Sequence, residues 1–304
     1  MAGAAFRLFL LLSLTLGPVQ DCLAAAMPPA GSPAAAAYAH PEWMVDTAWA
    51  AAHLADPSVK IVALTPLNDF KAGHVPGAVQ IDWPELEIVE TSDQAVASWE
   101  ASVETRLTGL GLSVNDTIVV YDGGTVYAPR LWWILRQLGQ ADVRILDGGL
   151  PAWVEDGGKI ETGASTVRPA ATPYVGSPNG AAITTLAEAS TAVGKSGVAF
   201  VDARTAKEYV GGHISGAVDI PFTENASSAS PHRWKSAEEL KAMYVKSGIT
   251  PNVHVIAYCS TGVRSAADYF SLLLIGYPDV SLFTGSWKEW SQHPELPVTL
   301  GSAP

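Results

Sequence analysis

The chain has 304 residues, 48% hydrophobic and 16% charged, enough for about two domains of roughly 150 residues and too apolar for global disorder. Its 30 acidic residues against 18 Lys and Arg give a net charge of -12, which disfavours nucleic acid and anionic membrane surfaces as partners. Two cysteines make neither a disulfide scaffold nor a four-cysteine zinc site.

The first expected element is a signal peptide over 1–26. Arg7 precedes an apolar run at 8–16, and Leu23-Ala24-Ala25-Ala26 offers small residues for cleavage. The run is too short for a membrane-spanning helix, and Gln20 and Asp21 before Cys22 do not make a lipoprotein box. Cleavage near Ala26 leaves an exported, periplasmic or secreted protein with no membrane segment and one thiol, Cys259, so no intrachain disulfide. A flexible lead follows at 27–40, rich in Ala, Pro and Gly. A first domain is expected over 41–162, a Pro-, Gly-, Ser- and Thr-containing linker over 163–180, and a second domain over 181–300.

The two domains repeat one another. Gly73-His74-Val75-Pro76-Gly77-Ala78-Val79 recurs as Gly212-His213-Ile214-Ser215-Gly216-Ala217-Val218, 139 residues later. Gly111, Asn115, Tyr121, Gly139, Asp142, Val143, Gly148 and Trp153 recur 137 residues on, as Gly248, Asn252, Tyr258, Gly276, Asp279, Val280, Gly285 and Trp290. One order at nearly one offset is a duplication, with a period far too long for a solenoid. In the second half, 197–202 and 253–258 read as buried strands, and 236–245 and 263–275 as helices, the first starting at Ser236-Ala237-Glu238-Glu239. Alternating strands and helices predict an α/β fold, two tandem domains each with a mostly parallel central sheet covered by helices on both faces. Ligands in such folds gather beyond the carboxyl ends of the strands.

The duplication is also an internal control. His74 and His213 occur in both halves, so a structural turn role outweighs a catalytic one, and Trp153 and Trp290 read as packing residues. Cys259 has Asp122 as its counterpart, Arg264 has Tyr127, and Asp202 and Arg204 have Ala63 and Thr65. The reactive set therefore belongs to one half. Cys259 closes a strand, and Ser260, Thr261, Gly262, Val263 and Arg264 lead into a helix. Loop N–H groups, the helix N-terminus and Arg264 all favour thiolate there. Such a thiolate needs no histidine base. Gly262 supplies the backbone freedom of a tight loop. Asp122 reads as a helix-capping residue.

On these residues the chain resembles the tandem-domain sulfurtransferases of the rhodanese type, from about residue 42 to about residue 300. The resemblance rests on Gly-His-x-x-Gly-Ala in both halves, Val201-Asp202-Ala203-Arg204, the loop from Tyr258 to Arg264, Leu131-Trp132-Trp133, Leu146-Asp147-Gly148-Gly149 and Gly285-Ser286-Trp287. An N-terminal half with Asp at the cysteine position is typical of that family. The resemblance implies rhodanese-like domains, the second catalytic, with Cys259 as nucleophile and persulfide carrier. Sulfur would pass from thiosulfate or a related small-molecule donor to cyanide or a thiol, including a thiol-bearing protein. It implies no metal and no cofactor. Ser260 and Thr261 with Arg264 match neither vertebrate thiosulfate nor 3-mercaptopyruvate loops, and Glu208 stands where those enzymes tend to carry arginine. The pattern is similar to bacterial tandem sulfurtransferases with Cys-x-x-Gly-x-Arg loops.

Arg264 is the leading cation for an anionic donor. Arg204 is expected either to bind substrate or to pair with Asp202 or Glu208, and Arg233 and Lys235 either to overhang the site or to lie in a solvated loop. The alternatives in function are a 3-mercaptopyruvate sulfurtransferase, a persulfide carrier for a protein partner, and a cysteine phosphatase. The last is disfavoured because four residues separate Cys259 from Arg264, one fewer than in phosphatase loops.

Overall fold

In the computed structural model, which describes residues 38–304, the expected signal peptide and all but the last three residues of the lead lie outside the described residues. The first half runs β1 (Met44–Val45), α1 (Thr47–His53), β2 (Val59–Leu64), α2 (Leu67–Ala72), β3 (Val79–Ile81), α3 (Asp93–Gly109), β4 (Thr117–Tyr121), α4 (Ala128–Gln137), β5 (Val143–Leu146) and α5 (Gly149–Glu155). Its five strands form one sheet, ordered β1-β5-β4-β2-β3 and parallel throughout. Ile61 to Leu64 and Ile118 to Tyr121 are buried residue after residue, as strands covered on both faces require.

The second half repeats this order: α6 (Leu186–Ala192), β6 (Val198–Asp202), α7 (Ala206–Val210), β7 (His213–Ile214), β8 (Val218–Asp219), α8 (Ala237–Lys246), β9 (His254–Tyr258), α9 (Ser265–Leu274), β10 (Val280–Leu282), α10 (Ser286–Trp290) and β11 (Val298–Thr299). The central sheet is β10-β9-β6-β8, again parallel. Even minor pairings recur. Met44 pairs Ile145 in the first half, and a single bridge joins Ile183 to Leu282 in the second. The antiparallel bridge of His74 to Glu161 becomes the pairing of β7 with β11. The expected strands and helices of the second half are found within two residues of their expected ends. Ser236 caps α8 through a reciprocal arrangement with Glu239, whose backbone N–H donates to the serine while its carboxylate accepts from the Ser236 N–H.

Both repeated histidines are structural. His74 is buried, stacked at 3.8 Å on Phe70 and bonded through Nδ1 to the Phe70 carbonyl; His213 does the same with Tyr209 at 3.7 Å. The two halves share one core across α4 and α9, where Trp132 meets Phe270 edge-on at 4.9 Å and Leu131, Trp133 and Leu272 are fully buried. Each such side chain contributes about 2–3 kcal/mol by leaving water. This packing brings the starts of α4 and α9, and the loops that feed them, to one end of the molecule. Residues 163–179 carry no helix or strand, but they are strapped to the first half through Tyr174, whose OH donates to Gln140, and through the Gly176 N–H, which donates to Glu104.

Helix α9 also buries Asp268. Its Oδ1 accepts from Asn225 and from the Tyr244 OH, while Oδ2 has no partner, and burial raises the carboxyl to about 7. The unfolded value is about 4. Between those values the folded chain holds a proton that the unfolded chain has lost, so stability falls as pH rises through this window and levels off above it. Asp268→Asn is expected to shift the denaturant midpoint upward at about pH 8 relative to wild type, on the order of a few kcal/mol at most, and to give no gain near pH 4. Parallel urea melts at the two pH values check it; an equal shift at both would assign the effect to packing rather than ionisation.

Candidate active site

Cys259 stands at the carboxyl end of β9, 1% exposed, and is the only free cysteine among the described residues. Its N–H donates to Ser286 Oγ at 3.1 Å and its carbonyl accepts from the Trp287 N–H at 3.0 Å, so the start of α10 holds it from below. The loop turns at Gly262, whose φ is +78. A Cβ there would lie 2.8 Å from the Thr284 carbonyl, so only glycine fits both the angle and the space.

The counterpart loop shows what such a position collects. Asp122 ends β4 as Cys259 ends β9. Its Oδ1 accepts from the N–H groups of Gly124 at 2.7 Å and Thr125 at 2.9 Å, and its Oδ2 from Tyr127 and Ala128, both at 2.7 Å. One carboxylate thus closes four backbone donors at the start of α4, where the helix dipole also favours negative charge. Asp122 reads in the sequence as a helix cap; the N-cap position of α4 is Tyr127, and Asp122 meets the amides of Tyr127 and Ala128 from five and six residues upstream. The cysteine loop has equal length but a different path, with its left-handed residue at Gly262 where the first half has them at Gly124 and Val126. It has no carboxylate. Among the described residues, no protein acceptor meets the N–H groups of Ser260, Thr261, Gly262 or Val263. Buried or half-buried amides are normally paired, so this loop presents donors that an anion at Cys259 can use.

Arg264 differs from its expected part. It is not a free cation: Nη1 and Nη2 donate to both oxygens of Glu208, at 2.9 and 2.8 Å, and Nη2 also donates to Ser260 Oγ at 2.6 Å. The guanidinium holds Glu208 far below the usual carboxylate range, and Glu208 in turn raises Arg264. Most of the Arg264 charge is therefore met inside the protein, and the pair ties α7 to the cysteine loop.

The other proposed residues divide similarly. Arg204 is buried beneath the loop, bonded twice to Asp202, with Nη2 at 2.6 Å from Oδ2, and once to the Gly212 carbonyl, and it lies 4.5 Å over the Trp287 ring. Asp202 also accepts from the Tyr258 OH at 2.7 Å, so the network fixes the strand end next to Cys259 and engages Nε and Nη2 of Arg204. Arg233 does not overhang Cys259. It donates to Asp156 and to the Asp147 carbonyl and lies against Gly148 of the other half, with Trp234 N–H on Asp147 Oδ1. Lys235 pairs with Glu224 at the surface.

Sequence reasoning missed three contributors. Tyr127 of the first half lies 5.8 Å from Phe222, over which Arg264 sits, so the first half lends an aromatic wall. Thr91 donates its N–H and hydroxyl to Glu289 of α10, both at 2.8 Å. Arg130 of α4 reaches Thr284 and Gly262. The run Leu131-Trp132-Trp133 marked this stretch of α4 in the sequence, but Arg130 beside it carried no signal of its own.

A duplicated parallel α/β sheet with a cysteine at the head of a loop whose amides have no protein acceptor among the described residues defines a class of thiol-based group-transfer folds. The Rhodanese-like domain matches residues 46–156 and 185–293, and the chain belongs to that family. It is 33% identical over 288 residues to the sulfur carrier protein TtuD of Thermus thermophilus, covering 87% of this chain and 99% of that one. It is 32% identical over 246 residues to the thiosulfate sulfurtransferase of Gallus gallus, covering 76% and 84%. The crystal structure of SseA from Escherichia coli, a 3-mercaptopyruvate sulfotransferase with the rhodanese fold, matches with a TM-score of 0.72 and 28% identity, over 81% of this chain and 99% of its own.

Proposed function

We propose that this chain transfers sulfane sulfur from thiosulfate through a persulfide on Cys259 to cyanide or a thiol. The observation that carries the reading is the contrast between the loops: Asp122 closes the amides of one, and Cys259 stands beside open amides in the other. In the first step the Cys259 thiolate attacks the outer sulfur of thiosulfate. A new S–S bond forms, the old one breaks, and sulfite leaves with its electron pair. In the second step the acceptor attacks the outer sulfur of the persulfide, and Cys259 departs as thiolate. The loop amides offer hydrogen bonds to the sulfur anion in both resting forms. Relatives named for thiosulfate, for 3-mercaptopyruvate and for sulfur carriage all support transfer of this kind.

The donor is tested by steady-state rates with thiosulfate and with 3-mercaptopyruvate, each with cyanide and with a thiol. Higher kcat/KM with thiosulfate is expected. A preference for 3-mercaptopyruvate overturns the donor and leaves the Cys259 chemistry standing. The likeness to TtuD favours one second reading, a carrier serving a protein thiol; stoichiometric sulfur loading with negligible turnover on small acceptors selects it. We also propose export, from Arg7 and the apolar run at 8–16. No helix of the described residues is long and apolar enough to cross a membrane. A mature N-terminus near Met27, read by mass spectrometry of the exported protein, is the expected result.

A further inference from the structure

Arg130 lies in the first turn of α4, in the half that lacks the cysteine, and is fully buried. Its Nη2 donates to the Leu86 carbonyl at 3.0 Å; its Nη1 donates to Thr284 Oγ1 at 3.0 Å and, more weakly, to the Gly262 carbonyl at 3.4 Å. Its plane rests 4.7 Å from the Trp133 ring and 5.9 Å from Trp99. Among the described residues it has no carboxylate partner, and its Nε has no acceptor. The contrast with buried Arg204 is direct, because that guanidinium has Asp202 at 2.6 Å.

A buried cation without a counter-anion costs several kcal/mol after relaxation. The indole faces return part of that, about 1–2 kcal/mol. The three oxygen acceptors return more of it, and negative charge nearby would return the rest. Burial pulls Arg130 down only to about 10, so it stays cationic at neutral pH, and the acidic groups close enough to offset it are Glu87 and, when its sulfur is anionic, Cys259. Glu87 is already met by Lys288 at 3.0 Å. Two of the three acceptors of Arg130 belong to the catalytic half, and one of them is the left-handed glycine of the cysteine loop.

We propose that Arg130 is a positioning residue through which the first half takes part in sulfur transfer: anchored on Thr284 and Gly262, it sets the path of the cysteine loop and places a fixed positive charge behind the sulfur anion on Cys259. The proposal rests on the Cys259 persulfide reading. It gives the half without a nucleophile a part in the chemistry beyond forming a wall.

The test uses the full chain as wild type, Arg130→Lys and Arg130→Met. Loading of Cys259 by thiosulfate is followed in single turnover by mass spectrometry from about pH 6 to about pH 10, with circular dichroism confirming the fold. Wild-type loading tests the parent reading on its own, and its absence would overturn that reading rather than the part given to Arg130. Arg130→Met is expected to slow loading about tenfold at saturating donor, less than removal of a direct oxyanion donor, with little change in the half-saturating concentration. Arg130→Lys is expected to match wild type near pH 6 and to fall progressively behind at higher pH, because a desolvated lysine loses its proton well before an arginine does. Wild-type loading by a folded Arg130→Met overturns the proposal. So do Lys and wild-type profiles that stay parallel over the whole range, and that second readout stands even where the Met variant fails to fold.

Discussion

Cys259→Ser is expected to take up no sulfur from thiosulfate and to lower thiocyanate formation by at least about a thousandfold, the scale on which loss of a nucleophile usually registers. The fold should survive. The side chain is small, its environment is set by backbone bonds to Ser286 and Trp287, and neither bond involves the sulfur. No other thiol can substitute, since the only other cysteine is Cys22, within the proposed signal peptide. Intact-mass measurement after thiosulfate treatment gives the clean readout: one added sulfur atom on wild type, none on the variant. Sulfur loading of the variant at the wild-type level would remove Cys259 from the mechanism altogether.

The second large effect belongs to the silent half. Asp122→Ala removes the one acceptor shared by the N–H groups of Gly124, Thr125, Tyr127 and Ala128. An orphaned buried donor costs about 1–3 kcal/mol, but Thr125 is exposed and water can reach part of the loop, so a total of about 2–4 kcal/mol is expected. That is a large share of the 5–15 kcal/mol that holds an ordinary domain together. Asp122→Asn keeps one oxygen and should fall between. Urea melts decide the matter. A wild-type midpoint for Asp122→Ala would mean that the four bonds contribute nothing net, and that the loop holds its path by packing alone. Sulfur loading should persist in the folded fraction, because Asp122 serves the other loop. The two substitutions thus separate what one position does in its two copies: at the end of β4 a side chain that holds the fold together through four amides, and at the end of β9, on the proposed mechanism, the sulfur that carries the reaction.

The charge of the protein takes on a sharper meaning here. An acidic chain that receives an anionic donor was expected to offer Arg264, yet that arginine is committed to Glu208. On the proposals made above, loop amides and the buried Arg130 serve the sulfur anion instead. Neither is a surface charge, so both are little screened by salt or by the acidic exterior.

The sequence alone was sufficient for the duplication, the strands and helices on either side of the cysteine, and Cys259 as the odd residue out. Those features are local. Apolar runs of strand length, helical spacing, a capping serine three residues before a glutamate, and a recurrent offset are all written within short windows or repeated in the same order. Tertiary structure decided the partner of every arginine that mattered. A guanidinium ends on a long flexible stem, and its acceptor is whatever the fold brings within 3 Å. Arg264 found Glu208 from 56 residues away, and Arg130 found Thr284 from 154 residues away, in the other half. Arg204 took the carboxylate two residues before it, as one of its alternatives allowed. Arg233 crossed to the first half and bonded Asp147 and Asp156 there. Nothing in spacing distinguishes these outcomes, because each depends on how α4 packs on α9 and on which loops that packing brings to one end of the molecule.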